Sequence, residues 1–394
     1  MNTSTDKHFA QRINNVPPSF IREILKVTQQ SDIISFAGGL PYEKLFPIEQ
    51  IKAASQRAFT HHGTQLLQYS NTEGDLQLRQ WIAARYQRQN LSINAEDILI
   101  TNGSQQALDL LGKVFINKGD AVVIENPGYL GALQAFQLYQ AKFLTVSIDD
   151  NGMDISQLQH RLASNNSKLI YTVPNFQNPT GISYSEDNRR AVALEVAKTD
   201  SYLIQDDPYG ELRFSGEEKS NFMSLLPQQT ILLGSFSKTI APALRLGWMV
   251  APAAVMKKLI IAKQAADLHS SSLAQAILYQ YLQDNNVEAH LERLCRYYGQ
   301  QKIVMENAIK RYFPKSTQVT NPEGGLFLWC RLDKKVSTSA LFKTSIQQKV
   351  AFVPGESFYT DNIEKNTMRL NYSGASPERI EKGIRILGNV ITSY

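Results

Sequence analysis

The stretch Leu233-Gly-Ser-Phe-Ser-Lys-Thr-Ile-Ala-Pro-Ala-Leu-Arg-Leu-Gly-Trp248 places a lysine shortly after an apolar run. That run, Thr230-Ile-Leu-Leu-Gly-Ser235, predicts a buried strand of a parallel sheet. Sheets of this kind bind ligands at the carboxyl ends of their strands. We therefore expect Ser235, Ser237 and Lys238 to emerge at a binding site.

Lys238 in such a place has the chemistry of a Schiff-base lysine. Desolvation and nearby cations lower the pKa of an amine, and the neutral amine is a nucleophile for a carbonyl carbon. The hydroxyls of Ser235 and Ser237 and the guanidinium of Arg245 could hold a phosphate. A nucleophilic lysine beside a phosphate site predicts pyridoxal 5'-phosphate (PLP) as the cofactor.

Other interpretations of this stretch depend on partner residues. Ser235-Phe-Ser-Lys238 also fits the S-x-x-K pattern of serine acyl-transferring enzymes, but the sequence has no Lys-Thr-Gly, and Tyr69-Ser-Asn71 precedes the lysine instead of following it. A phosphate loop is excluded because the G-x-x-x-x-G-K spacing is absent. Taken by itself, this stretch could also be an ordinary strand end followed by a solvated lysine.

A second strand, turn and helix pattern follows Asp97. The apolar run closes in Asn102-Gly-Ser104, and the helical pattern of Gln105 to Phe115 begins at once. Free N–H groups at Ser104 and Gln105 and the positive end of the helix dipole suit a phosphate. A plain N-cap at Ser104 explains the serine equally well.

Three further strand-like runs lead to polar side chains that suit a planar cofactor. The ring of Tyr129 could stack on it, although most such tyrosines only pack. Asn178 is biased to an extended conformation by Pro179, and its amide could reach a phenolic oxygen and a substrate carboxylate. The carboxylate of Asp206 would keep a pyridine nitrogen protonated, which makes the ring an electron sink.

These motifs, in this order, resemble the fold type I PLP-dependent aminotransferases of class I and II. Within that class the chain resembles the branch of aminoadipate, kynurenine and broad-specificity aromatic or branched-chain aminotransferases. The matching motifs cover nearly the whole chain and are Ser35-Phe-Ala-Gly-Gly-Leu-Pro41, Gln68-Tyr-Ser-Asn-Thr-Glu-Gly74, Asn102-Gly-Ser-Gln-Gln106, Asn126-Pro-Gly-Tyr129, Asn178-Pro-Thr-Gly181, Asp206-Asp-Pro-Tyr209, Ser235-Phe-Ser-Lys238 with Arg245, and Met368-Arg-Leu-Asn-Tyr-Ser373.

The resemblance implies catalytic roles around the cofactor ring. Lys238 would form the Schiff base and carry the proton between the substrate and the cofactor. Asp206 would pair with the pyridine nitrogen, Asn178 and Tyr209 with the phenolic oxygen, and Tyr129 would stack on the ring.

The resemblance also implies a phosphate site shared between two subunits. Ser104, Gln105, Ser235 and Arg245 would hold the phosphate within one subunit. Tyr69 would reach in from the second subunit of a homodimer with shared active sites.

For the substrate, the resemblance implies that Arg369 clamps the alpha-carboxylate, helped by Asn178 and by the backbone of Gly39. A guanidinium fork grips a carboxylate bidentately, and glycine lets backbone approach a ligand closely. In the aminoadipate group a Ser and an Arg at the spacing of Ser19 and Arg22 recognise the distal carboxylate.

An N-terminal helix is predicted from Ser19 through Lys26 on its apolar spacing. Arg22 falls in the first turn, where the helix dipole disfavours a cation by roughly 0.3–1 kcal/mol. Alternatively, Ser19 only caps this helix and Arg22 is solvated.

The predicted architecture is α/β, with a mostly parallel doubly wound sheet and a smaller α/β lobe. We expect residues 1–46 to join the small lobe, residues 47–289 to form the large PLP-binding domain, and residues 290–394 to form the small C-terminal domain. In the last of these, a helix is predicted from His290 to Tyr312 and a strand over Gly324 to Cys330.

Composition and charge narrow the function classes. The 394 residues include 41 Lys and Arg against 36 Asp and Glu, a net charge of +5. This mild excess gives no support for nucleic-acid binding. Cys295 and Cys330 are expected to be reduced thiols, and no metal site is predicted. With no apolar signal core and no run that could span a bilayer, we expect a cytoplasmic protein without membrane contact.

The resulting prediction is an aminotransferase acting between an L-amino acid (aminoadipate, aromatic or branched-chain) and a 2-oxo acid, with 2-oxoglutarate or glutamate as one partner, in a ping-pong mechanism. A PLP-dependent lyase or decarboxylase shares the scaffold and stays an alternative. A ligand-sensing regulator is less favoured, because about forty residues before the first motif are too few for a DNA-binding domain.

Overall fold

The computed structural model of the protein describes residues 8–14, 16, 24 and 32–394. Its strands are β1 Ile34–Ser35, β2 Ile98–Thr101, β3 Ala121–Asn126, β4 Lys142–Asp149, β5 Gly152–Met153, β6 Ser167–Thr172, β7 Tyr202–Asp206, β8 Thr230–Ser235, β9 Gly247–Val250, β10 Gln318–Val319, β11 Phe327–Arg331, β12 Val350–Ala351, β13 Val353–Pro354 and β14 Thr367–Asn371.

The α-helices within the described ranges alternate with these strands. They are α1 Gln11–Asn14, α2 Ile48–His62, α3 Leu76–Gln87, α4 Ser104–Phe115, α5 Leu130–Gln137, α6 Ile155–Ser164, α7 Glu186–Val196, α8 Phe222–Leu225, α9 Ala253–Asp267, α10 Ser272–Asp284, α11 Val287–Tyr312, α12 Thr338–Gln347 and α13 Pro377–Thr392. None of the helices in the described part is long and apolar enough to cross a membrane.

The largest sheet is eight-stranded, in the order β2-β9-β8-β7-β6-β3-β4-β5. Strands β8, β7, β6, β3 and β4 run parallel, while β9 is antiparallel to both of its neighbours and β5 is antiparallel to β4. All six residues of β8 are buried, as its continuous apolar run predicts.

Helices cover both faces of this sheet. Val122 and Val123 are neighbours on β3, and they belong to two different hydrophobic clusters because successive side chains of a strand point to opposite faces. The cluster of Val122 includes Leu111 of α4, and the cluster of Val123 includes Leu158 of α6 and Val192 of α7. The prediction of a mostly parallel, doubly wound sheet is confirmed.

Two small sheets lie outside the large one. The C-terminal part forms an antiparallel sheet in the order β10-β11-β14-β13, and β1 pairs in parallel with β12. The N-terminal strand therefore joins the C-terminal part of the chain. The lobe boundaries after residues 46 and 289 stay predictions.

Two predicted elements differ from the structure at their ends. The helix expected from His290 begins at Val287, where Asn286 caps it by accepting from the Ala289 N–H. The strand expected from Gly324 begins only at Phe327. Gly325 has a φ of +73°, which is not an extended conformation, so the pairing with β14 starts after it and Gly324 forms only an isolated bridge with Arg213.

Candidate active site

Most of the predicted site residues line one cavity of about 490 Å³. It lies where the parallel strands end, because β7 ends at Asp206 and its neighbour β8 ends at Ser235. The predicted residues in its lining are Gly39, Ser104, Gln105, Tyr129, Asn178, Asp206, Tyr209, Ser235, Lys238, Arg245 and Arg369.

Three predicted site residues are not in this group. Tyr69 is 80% exposed, and its ring contacts His269 with the ring centroids 5.9 Å apart. It therefore does not line the cavity of its own chain, and its predicted role concerns a second subunit. Ser19 and Arg22 lie outside the described residues.

Lys238 has the environment expected of a nucleophilic amine. Its Nζ donates to the backbone oxygen of Gly39 at 2.8 Å. Burial lowers the pKa of this amine to about 8, and the positive charges of Arg369 and Arg245 act in the same direction. A sizeable fraction of Lys238 is therefore neutral near physiological pH.

Asp206 is a buried carboxylate with one oxygen still open. Its Oδ2 accepts from the Tyr171 hydroxyl at 2.7 Å, whereas Oδ1 has no hydrogen-bond partner among the described residues. Burial raises the pKa of Asp206 to about 7, opposed by the hydrogen bond from Tyr171. A protonated ring nitrogen would supply the missing donor and favour the ionised carboxylate, so this side of the cavity fits a pyridine.

Arg369 is a buried cation with an open nitrogen. It is only 3% exposed, and its side chain donates to Asn178 Oδ1 at 2.7 Å and to the backbone oxygen of Ala37 at 2.6 Å. Within the described ranges its Nε has no acceptor. Its guanidinium carbon lies 4.3 Å from the centre of the Phe327 ring. Burial lowers the pKa of Arg369 to about 10 because it disfavours the charged guanidinium. A carboxylate bound beside Arg369 would stabilise that charge.

Tyr129, Tyr209 and Asn178 line the same cavity as Asp206 and Arg369. Burial raises the pKa of Tyr129 to about 12 and raises that of Tyr209 as well, so both hydroxyls stay protonated as donors. The Oδ1 of Asn178 already accepts from Arg369, and its amide nitrogen interacts with Tyr209. That nitrogen carries two N–H groups, so one remains as a donor for a ligand.

Another part of the cavity lining has the features that suit an anion. Gly103, with φ +75°, precedes α4 as its N-cap, and a Cβ there would lie 2.6 Å from the side chain of Arg245. Ser104 is therefore the first residue of the helix and not its cap, which rules out the plain N-cap interpretation of the sequence. The first backbone N–H groups of α4 and Arg245 flank the same space.

A buried network that the sequence did not reveal supports this turn. Asp267 accepts from Asn102 Nδ2 and from Gln106 Nε2, each at 2.6 Å. Lys263, which is fully buried, donates to the same carboxylate at 2.9 Å and to Gln106 at 3.0 Å. Asn102 and Gln106 lie 157 to 165 residues from Lys263 and Asp267 in the chain, so only the tertiary contact brings the two pairs together. Tyr171 was missed for the same reason.

Comparison with known proteins identifies the family. Residues 31–387 match the family model described as aminotransferase class I and II. The chain belongs to this family. Over 98% of its length it is 38% identical to the aromatic-amino-acid aminotransferase 1 of Thermococcus litoralis, covering 94% of that protein. It is also 38% identical to the 2-aminoadipate transaminase of Thermus thermophilus, with 98% and 97% of the two chains covered.

A solved structure agrees with the sequence comparison. The crystal structure of the alpha-aminoadipate aminotransferase of Thermus thermophilus, complexed with N-(5'-phosphopyridoxyl)-L-leucine, matches with a TM-score of 0.93 at 37% identity, and the match covers 99% of each chain. The predictions of a fold type I, PLP-dependent aminotransferase are therefore confirmed.

Proposed function

We propose that this aminotransferase moves an amino group between an aminoadipate, aromatic or branched-chain L-amino acid and a 2-oxo acid, with 2-oxoglutarate or glutamate as one partner in a ping-pong mechanism. The observation that carries the proposal is one cavity with three complementary groups. Lys238 is a partly buried amine of lowered pKa, Asp206 has an open carboxylate oxygen, and Arg369 has an open guanidinium nitrogen.

We assign the residues around the cofactor ring as follows. Bound PLP supplies an electron sink next to the substrate's alpha carbon. Lys238 Nζ would hold the cofactor covalently and then move the proton at the alpha carbon, while Asp206 would keep the ring nitrogen protonated. Asn178 and Tyr209 would donate to the phenolic oxygen, and Tyr129 would cover the ring face.

The phosphate would lie at the N-terminus of α4. Ser104 and Gln105 would offer N–H groups, and Ser235 and Arg245 would add a hydroxyl and a cation. Tyr69 would complete the site from a partner subunit. Its surroundings support a homodimer, because the side chains of Phe59 and Leu67 nearby in the chain are also exposed, at 44% and 73%.

Arg369 would bind the alpha-carboxylate of every substrate, with Asn178 and Gly39 beside it. The substrate classes are supported by the names of the relatives in Thermococcus litoralis and Thermus thermophilus. Ser19 and Arg22 are proposed to bind the distal carboxylate of acidic substrates. The cytoplasmic location stays a prediction.

A half-reaction screen tests this function. The PLP form is mixed with single amino acids in the absence of any 2-oxo acid, and conversion of the cofactor to its amine form is followed by absorbance. Stoichiometric conversion by glutamate, aminoadipate and aromatic or branched-chain amino acids is expected. Continuous turnover without a 2-oxo acid would instead identify a lyase or decarboxylase.

A further inference from the structure

A second cavity, of about 400 Å³, lies behind the active-site cavity at the same strand ends. Pro208 and Ser235 line both cavities. Side chains alternate along a strand, so Asp206 of β7 lines the active-site cavity while its neighbours Gln205 and Asp207 line the second one. A volume of this size is typical of small-molecule sites.

One wall of the second cavity is aromatic. Phe236 lies between two tryptophans, with its ring centre 4.7 Å from that of Trp248 and 6.2 Å from that of Trp81. Tyr86 completes this wall, and its hydroxyl accepts from Trp248 Nε1 at 2.9 Å. A wall of this kind suits the face or edge of a planar ring.

The other wall offers one open hydrogen-bond donor. Gln205 is fully buried, and its Oε1 accepts from the Phe222 N–H at 2.8 Å, but its Nε2 has no acceptor in the part of the chain that the structure describes. The carboxylate of Asp207 beside it already accepts from Asn175 Nδ2 and from the Gly210 N–H. The Gln205 side chain also acts to lower the pKa of Asp207, but its Nε2 lies outside hydrogen-bond geometry and keeps its donor open. A ligand at this wall should therefore carry a hydrogen-bond acceptor for Gln205 Nε2.

Three arginines of the lining already have partners. Arg85 pairs with Glu211 and Glu288, and Arg213 pairs with Glu323. Each nitrogen of the Arg189 guanidinium donates to an oxygen of the protein. An ionic ligand would therefore find no unmatched charge among these arginines. The exposed Glu218 and the neighbouring Lys219 add one negative and one positive charge, which offset each other, so a neutral ligand is favoured.

We propose that this second cavity is a binding site for a neutral planar aromatic molecule that carries an amide or ring-carbonyl oxygen. The ring would lie against Trp81, Phe236 and Trp248, and the oxygen would accept from Gln205 Nε2. The site is separate from the amino-transfer chemistry and does not depend on the residue roles proposed for it.

Benzamide is a suitable probe, and cyclohexanecarboxamide is its matched control because it has the same amide without the aromatic ring. Titration of the holoenzyme by calorimetry should give saturable binding of one benzamide per chain, with the control bound at least about tenfold more weakly. Binding should persist in excess 3-phenylpropionate, which offers a carboxylate to Arg369 and would compete in the active-site cavity. Equal binding of the two amides, no saturation, or displacement by 3-phenylpropionate would overturn the proposal.

The donor is tested with Gln205→Glu, which keeps an acceptor for Phe222 and removes the amide N–H. Benzamide should bind about threefold to tenfold more weakly to this variant, as expected for the loss of one neutral hydrogen bond. Two of the three tryptophans, Trp81 and Trp248, line the cavity, whereas Trp329 lies on β11. Benzamide binding should therefore change the fluorescence of these two tryptophans. Trp329→Phe should keep both the affinity for benzamide and this fluorescence change. Unchanged affinity in Gln205→Glu, or loss of the fluorescence change in Trp329→Phe, would contradict the assigned position.

Discussion

Two buried arginines, Arg189 and Arg369, differ in whether all of their nitrogens have hydrogen-bond partners. Burial lowers the pKa of each guanidinium to about 10. Arg189 is fully buried and donates through every nitrogen, at 2.7 to 3.1 Å, to oxygens of the loops around it. Arg369 instead keeps an open Nε among the described residues. Burial alone therefore does not mark a ligand site, whereas an open hydrogen-bonding atom beside a cavity does.

The buried carboxylates Glu125 and Asp206 repeat the contrast. Burial raises the pKa of both to about 7. Glu125 accepts from the Val173 N–H, from Gln177 Nε2 and from the Tyr184 hydroxyl, so both of its oxygens have donors. Asp206 has a donor on one oxygen only, counting the described part of the chain. The polar cluster around Glu125 and Arg189 is complete, and the active-site cavity is not.

The largest effect is expected from Lys238, and the buried Lys263 provides the comparison. Lys238→Ala should lower turnover by several orders of magnitude, because it removes the amine proposed as the covalent catalyst. Borohydride should then no longer fix the cofactor to the protein. Lys263, whose Nζ is held by Asp267, Gln106 and Ser270, is the control. In Lys263→Met, borohydride should still fix the cofactor to the protein. Fixation in Lys238→Ala would show that another amine holds the cofactor.

The two arginines give a matched pair of methionine variants. Arg369→Met should reduce kcat/KM for every amino acid and 2-oxo acid by about 3–5 kcal/mol, the cost of removing one partner of a buried ion pair. Arg189→Met should instead lower the free energy of unfolding. It leaves buried backbone oxygens without donors, at about 1–3 kcal/mol each.

Steady-state kinetics and urea denaturation of both arginine variants distinguish the two roles. A loss confined to dicarboxylic substrates in Arg369→Met would mean that a different arginine binds the alpha-carboxylate. A large loss of stability in that variant would place Arg369 with Arg189 as a structural residue.

The two carboxylates predict a pH dependence of stability. Their pKa values are raised to about 7 in the folded chain, from ordinary values of 4.5 for Glu125 and 3.8 for Asp206. At pH values between the ordinary pKa and the raised pKa, the folded chain binds more protons than the unfolded chain. The free energy of unfolding of the cofactor-free protein should therefore fall as pH rises from about 4 to about 7, by on the order of 3 kcal/mol per carboxyl.

Adding PLP should remove the contribution of Asp206, because a ring N–H would favour its ionised form. PLP should not change the contribution of Glu125 to the pH dependence. The substitution Glu125→Gln should remove that contribution. Urea denaturation at pH 5 and pH 7, with and without PLP, measures both. An identical pH dependence with and without PLP would mean that Asp206 does not contact the ring.

The smallest effect concerns Arg22, a third arginine that lies outside the described residues. Arg22→Ala should cost about 1–3 kcal/mol in kcat/KM toward glutamate and aminoadipate, the range for hydrogen bonds to charged groups. Leucine and phenylalanine should be little affected. Equal losses on acidic and apolar substrates would assign Arg22 to the structure of its segment, and no loss on either would leave it solvated.

The sequence by itself was sufficient for the family, the sheet and the order of the motifs. The strand Thr230–Ser235 and the helix that follows Gly103 were predicted nearly to the residue. Both follow from local properties, since an apolar run marks a buried strand and a 3.6-residue period marks a helix. The motifs at successive strand ends also predicted which side chains share a cavity, because parallel strands end at one edge.

Only the tertiary structure decided which buried polar groups are complete. Asp206 and Arg369 were named from their motifs, but those motifs do not show which of their atoms lack partners. The sequence likewise does not show that the hydrogen bonds of Glu125 and Arg189 are complete. The Tyr171 hydroxyl reaches Asp206 from the next strand, and the oxygens around Arg189 come from separate loops. The same holds for the open Nε2 of Gln205 behind the active site. Hydrogen-bond completeness depends on which distant segments meet, and local periodicity does not contain that information.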